Sequence, residues 1–251
     1  SNIKETDAIL HIVRAFDDEN VTHVENSVDP VRDIEIIETE LLLADIQTLE
    51  KRITRLEKTA KSGDKAAKAE LEVANELITF MNDGNQVSAF SDKESDAFIS
   101  LNTDLRFITN KNVIYGANVD EDGLSEDNEY VKKIQEYASS HDNTVLKLCA
   151  KIEEEMVDME DDEKLEFLND LGASESGLDQ IIRQSFSILG LISYFTAGVQ
   201  EVRAWTIRNG WKAPKSASVI HNDFEKGFIR AEVIAYDDYI SSGGETQAKD
   251  A

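Results

Sequence analysis

A single cysteine, Cys149, occurs in 251 residues, so no internal disulfide can form, which fits a reducing compartment. No apolar run approaches the ~20 residues that a membrane-spanning helix needs, and the first residues show no signal-peptide pattern. The expectation is a cytoplasmic chain with no membrane partner. Bases are scarce: 26 against 51 acids leave a formal net charge of −25. So acidic a chain repels phosphate backbones overall, which excludes strong nonspecific nucleic-acid binding and argues against DNA as a partner. No two histidines stand at zinc-ligand spacing with a partnering cysteine, so no metal site is expected in the chain.

The length is enough for a sizeable core, in one large or two to three small domains. The charge is unevenly spread. Residues 51–70 hold seven bases (Lys51, Arg52, Arg55, Lys58, Lys61, Lys65, Lys68) against three acids, and residues 199–230 hold six against three. These islands are either local RNA-binding patches or ordinary solvated helix faces; composition alone favours the second. The acid-rich stretch Glu153–Asp170 reads as mostly helical and solvated.

Periodicity orders the chain. Ala8 to Phe16 is apolar and β-branched, the pattern of a buried strand, and Asp29-Pro30 after a polar loop signals a turn or helix entry. From about Asp33 the spacing becomes helical. Leu42, Ile46, Leu49, Ile53, Leu56 and Ala60 recur every three or four residues, Lys61-Ser62-Gly63-Asp64 interrupts, and Ala67, Leu71, Ala74, Ile78 and Met81 resume the pattern. Two heptad-like runs around a short break predict an antiparallel coiled-coil hairpin, roughly 40 Å long, with the first basic island at its tip. Ser91-Asp92-Lys93-Glu94 reads as a capping box for a further helix through about Leu101. Strands are predicted over Asn112–Asn118 and Thr144–Cys149, and helices over Glu129–Ser139 and Leu178–Leu189. Near the C-terminus, a hairpin around Gly198, a short helix near Ser216–Ile220 and a strand over Gly227–Tyr236 read as a small β-grasp-like module. Strand–helix–strand alternation makes the fold class α/β, with the helical hairpin inserted between strands of a doubly wound parallel sheet.

The candidate chemistry sits where the second strand ends, at Asn118-Val119-Asp120-Glu121. Parallel strands deliver ligand contacts at their carboxyl ends. In GTPases that corner carries Asn-Lys-x-Asp, whose short carboxylate accepts from two donors on guanine's edge. Here Val119 replaces the lysine and Glu121 the aspartate, a poor guanine reader; adenine offers one donor and one acceptor instead.

Several longer runs resemble the YchF-type ATPases of the Obg-related P-loop family. They are Asn2–Ile9, Asp33–Ile37, Gly63-Asp64-Lys65, Asn118–Gly123, Tyr194-Phe195-Thr196-Ala197-Gly198, Glu201–Ile207 and His221–Ala231, and the resemblance covers essentially the whole chain. It implies a G-domain-like nucleotide-binding core (1–32 and 105–190), a coiled-coil helical domain (33–104) and a C-terminal TGS domain (191–251). It further implies hydrolysis of ATP in preference to GTP, with Mg2+, and association with ribosomes or ribosomal RNA. Carried over by position, Asn118, Val119 and Glu121 form the base-recognition loop. Cys149-Ala150-Lys151 matches the second base loop, where a backbone N–H meets the base; Cys149 reads as a small buried residue, not a nucleophile. His23 matches a loop histidine that helps hydrolysis, and is equally readable as an ordinary loop residue. His11 reads as a core histidine. Arg52, Arg55, Lys58, Lys61 and Lys65 at the hairpin tip are the candidate ribosome contacts.

One family signature is missing. No G-x-x-x-x-G-K-[S/T] occurs in these residues, so the backbone cradle, lysine and Mg2+-binding hydroxyl of a phosphate loop are absent from the sequence. The chain therefore reads as a fragment that lacks the phosphate-binding half and the end of the TGS domain. Alone it is expected to bind no cofactor and to hydrolyse no ATP. The alternative reading is a nucleotide-independent ribosome- or RNA-binding module that uses the hairpin tip and the TGS domain.

Overall fold

The computed structural model describes residues 2–18, 27–198 and 201–250. They fall into two compact units, Ser1–Leu189 and Gly190–Ala251. In the first, β1 (Ala8–Arg14), β2 (Asn112–Asn118) and β3 (Thr144–Leu148) form a parallel sheet in that order, with Leu10 opposite Ile114 and Gly116 opposite Leu146. One face carries Val13, Tyr115 and Ala117, which meet Val131, Ile134 and Ala138 of α5 (Glu129–Ser140) and Ile34 of α1 (Pro30–Lys61). On the other face Ile114, Leu146 and Leu148 pack on Ile181 and Ile188 of α8 (Gly177–Ile188). Burial on both faces explains why β2 reads as a continuous apolar run without alternation. β1 is covered on one side only, and Leu10 and Ile12 stay partly exposed.

α1 starts where Pro30 presets the first helical dihedral and the Asp29 side chain accepts from Arg32 N. Its first turns lie on the sheet: Ile34 belongs to the sheet core, and Glu38 accepts hydrogen bonds from the hydroxyls of Tyr115 and Tyr137. Further along, Leu42, Leu49, Leu56 and Ala60 pack against Ala67, Ala74, Leu77 and Met81 of α2 (Lys65–Asn82). The turn between them uses Gly63 at φ +95°, and Asp64 accepts from the N–H groups of Ala66 and Ala67. The paired part of this hairpin is set by the 18 residues of α2, about 27 Å, shorter than the periodicity suggests because the first turns of α1 lie on the sheet. Phe90, Phe107 and α3 (Asp96–Leu105), through Phe98 and Leu101, close its base. Asp45, fully buried on α1, accepts from Ile108 N at 3.0 Å, Thr109 N at 2.8 Å and Thr109 Oγ1 at 2.9 Å.

α3 corrects one expectation. Its cap is Ser95, which accepts from Phe98 N, and Ser91–Glu94 form a turn before it. The buried pair Phe98 and Leu101 fixes where the helix begins, overriding the capping-box pattern upstream. The acid-rich stretch Glu153–Asp170 is mostly helical as expected, in the end of α6 (Ala150–Glu155) and α7 (Asp161–Asp170), and it buries Met156 and Leu168.

The second unit holds an antiparallel hairpin of β4 (Leu191–Ala197) and β5 (Val202–Arg208), with Tyr194 opposite Trp205. The Tyr194 hydroxyl donates to Ser216 O of α9 (Ala213–Ala217), and short helices α10 (Asn222–Lys226), α11 (Tyr236–Ser242) and α12 (Glu245–Asp250) follow. The strand expected over Gly227–Tyr236 does not form: residues 228–235 join no ladder and leave Ile229 and Val233 almost fully exposed. β-branched residues favour a pleated surface only where a neighbouring strand or core supplies one, and none is paired with this segment.

Candidate functional site

Because the three strands of the first unit are parallel, their carboxyl ends open on one edge. There they frame a cleft of about 430 Å³, lined by Phe16 to Asp18 after β1, Asn118 to Asp122 after β2, and Cys149 to Lys151 after β3. Two backbone bonds carry the ladder past the strands and hold these loops at fixed spacing: Ala15 N to Asn118 O at 2.8 Å, and Val119 N to Leu148 O at 2.9 Å.

Side chains then tie the loops together. Asn118 Oδ1 accepts from Ala150 N at 3.0 Å, so the Ala150 N–H expected to face a base is engaged by the first loop. Asp120 caps α4 (Glu121–Ser125) by accepting from Gly123 N at 3.0 Å. That helix is five residues long. Glu121 Oε1 lies 2.6 Å from Lys151 Nζ, and this hydrogen bond raises the lysine pKa. The side chain of Val119 is buried in the sheet core, and a Cβ placed on Gly123 would come within 2.7 Å of the Val119 Cβ. Glycine at 123 is therefore what allows α4 to sit on the strand end. The Cys149 thiol is buried.

Among the described residues five carboxylates line the cleft (Asp17, Asp18, Asp120, Glu121 and Asp122) against one lysine, Lys151. Such a field disfavours a phosphate chain and suits the neutral, hydrogen-bonding edge of a heterocycle. Asp17 also accepts from the Tyr130 hydroxyl, at 2.9 Å to Oδ2. A second hollow, of about 500 Å³, lies on α2 between Phe80 and Phe90 with Glu76 and Asp83 beside them. It is shallower and brings together no loops from separate strands.

The comparisons with known proteins agree on one family. The model YchF-GTPase_C, described as a protein of unknown function (DUF933), matches residues 191–251. The ribosome-binding ATPase YchF of Bacillus subtilis (strain 168) is 49% identical over 253 residues, spanning 100% of this chain and 69% of that protein. The chain belongs to the YchF family. The Obg-like ATPase 1 of Gallus gallus is 43% identical over 259 residues, covering 100% of the chain and 64% of its own length. The solved structure of the Schizosaccharomyces pombe YchF GTPase superposes with a TM-score of 0.82 at 35% identity, over 98% of this chain and 67% of that one.

In this YchF-family chain the structure gathers Asn118, Val119, Glu121, Cys149 and Ala150 into one cleft. Asp120 and Lys151, quoted above only as members of the two loop motifs, join them, as do Asp17 and Asp18, which the sequence did not single out. His23 lies outside the described residues. His11 is half-buried against Tyr115, and burial lowers its pKa. At the hairpin tip Arg55, Lys58, Lys61 and Lys65 are exposed, but Arg52 is not part of that surface. Its guanidinium is bound by Glu70 at 2.8 Å and Asp104 at 3.0 Å, at the junction of the three helices. Among the described residues no group of three or more His, Cys, Asp or Glu is arranged to hold a metal ion. No helix of the described residues is long and apolar enough to cross a membrane.

Proposed function

We propose that the cleft at the strand ends is the purine-recognition half of a nucleotide site in a cytoplasmic, ribosome-associated P-loop ATPase. The observation that supports this is the convergence of Asn118, Glu121 and Ala150 from two strand-end loops, locked by the 3.0 Å Asn118–Ala150 bond. With its oxygen engaged by Ala150, the Asn118 carboxamide turns its N–H2 donors to a ring nitrogen, a contact any purine accepts. Glu121 then discriminates. Glutamate in place of aspartate, with no lysine in the loop, weakens guanine recognition, so ATP is preferred to GTP.

Hydrolysis itself is not assigned to these residues. The phosphate-loop motif is absent from the sequence, and the acidic cleft repels a triphosphate chain. Mg2+ would neutralise the bound triphosphate. His23 keeps its proposed role of orienting water in the hydrolysing protein. The chain alone is expected to be inactive. A titration with fluorescent ATP and GTP analogues tests the reading: weak, adenine-selective binding supports it, and no saturable base-dependent binding by the folded chain overturns it.

A second reading has its own observation. Arg55, Lys58, Lys61 and Lys65 stand exposed at the far end of a rigid hairpin, away from the acidic bulk. On this reading the hairpin tip and the TGS domain each touch ribosomal RNA without nucleotide. Reversing these four to glutamate should abolish co-sedimentation with ribosomes. Unchanged pelleting rejects the tip as the contact.

A further inference from the structure

Lys151 is the one cation lining the cleft among the described residues, 2.6 Å from Glu121 Oε1 and 3.9 Å from Glu155 Oε1. It stands in the first turn of α6, where a helix disfavours positive charge. The two carboxylates, not the helix, account for its placement. We infer that Lys151 sets the base preference of this cleft by occupying Glu121. The inference rests on the nucleotide reading above and names a determinant that Asn118–Glu121 does not contain.

The argument is one of donor and acceptor patterns. Guanine's edge offers two adjacent donors, N1–H and N2–H2, which a free carboxylate meets with both oxygens at once. Adenine offers one donor, N6–H2, beside one acceptor, N1. With Oε1 engaged by the ammonium group, Glu121 presents a single uncommitted oxygen next to a donor, the complement of adenine. Guanine can still meet the pair through O6 and N1–H, but its N2–H2 is left over. Lys151 thereby converts a guanine-type acceptor pair into an adenine-type acceptor–donor pair. The sequence separation of 30 residues hides this from any reading of Asn118–Glu121 by itself.

The test uses the intact chain, AMP and GMP as probes, and the Gly123 and Ala150 amides in ¹H–¹⁵N spectra as reporters. Taking the ratio of the two dissociation constants cancels the common phosphate. Both side chains are largely exposed and such pairs are weak, so the expected effect is modest: Lys151→Met shifts the ratio toward GMP by about fivefold. Lys151→Arg, which keeps a cationic donor on Glu121, should hold the wild-type ratio. Adding Glu121→Gln to Lys151→Met should remove the gain for GMP, because the charged acceptor is gone. An unchanged ratio in Lys151→Met, or a shift toward AMP, overturns the inference and leaves the base cleft standing. No saturable shift by either nucleotide in the wild type overturns the nucleotide reading, and this inference with it.

Discussion

Asp45→Ala should be the most damaging single change outside the cleft. The carboxylate is fully buried, and it alone receives the N–H groups of Ile108 and Thr109 and the Thr109 hydroxyl. The hydroxyl in turn accepts from Val87 N at 3.3 Å, so one side chain joins α1 to both ends of the segment 87–109. Alanine strands two buried N–H donors, each costing ~1–3 kcal/mol, and leaves a small void. The sum is about 3–5 kcal/mol, a large part of the ~5–15 kcal/mol of a typical domain. Urea unfolding followed by far-UV circular dichroism reads this change, since the helices of the first unit dominate that signal. Tryptophan fluorescence does not, because Trp205 and Trp211 both belong to the second unit. Hydrogen exchange should show lost protection at Ile108 and Thr109. A destabilisation under ~1 kcal/mol with an unchanged denaturant slope would refute the reasoning.

Three further outcomes follow from the same structure. Burial raises the Asp45 pKa, so the folded chain holds that proton to higher pH than the unfolded one. Its contribution to stability is then full below the ordinary carboxylate pKa of ~3.9 and declines as pH rises through the folded value. The penalty of Asp45→Asn, from urea midpoints across pH 3–7 (the range set around that ~3.9 value), should therefore be greatest at the acid end; a penalty growing with pH would contradict the shift. Gly123→Ala forces Cβ to within 2.7 Å of the Val119 Cβ, so it should displace α4, cost about 1–3 kcal/mol and weaken nucleotide binding together. Normal binding by that variant would separate α4 from the site. Val119→Lys should destabilise by about 3 kcal/mol or more because its side chain is in the sheet core; a change under ~1 kcal/mol would mean that the lysine escapes into the cleft.

Much of the scaffold was legible because its signals are periodic and local. The α1 and α2 heptads, the Asp29-Pro30 entry and the unbroken apolar run of β2 each state their structure within a few residues. Asn118 and Glu121 were legible for the same reason, as a polar cluster at a strand end. What stayed hidden depends on partners distant in sequence. Arg52 reads as one more base in a basic island until Glu70 and Asp104 close on it. Lys151 reads as the tail of a loop motif until Glu121 arrives. The segment 227–235 has the composition of a strand and lacks a ladder, a property no local pattern reports. Ser91 and Ser95 compete as caps, and the buried Phe98 decides between them.

α1 belongs to two bodies of packing at once. Glu38 is clasped by tyrosines of β2 and α5, whereas Lys61 ends the same helix at the hairpin's far turn. The roughly 23 residues between them make a stiff lever arm of ~35 Å. A tilt of about 10° at the tyrosine clasp, small against the spread of ordinary helix packing angles, would sweep the basic turn by ~6 Å. Tyr115 lies on the strand that ends in Asn118, so the fulcrum of this arm stands three residues from the cleft.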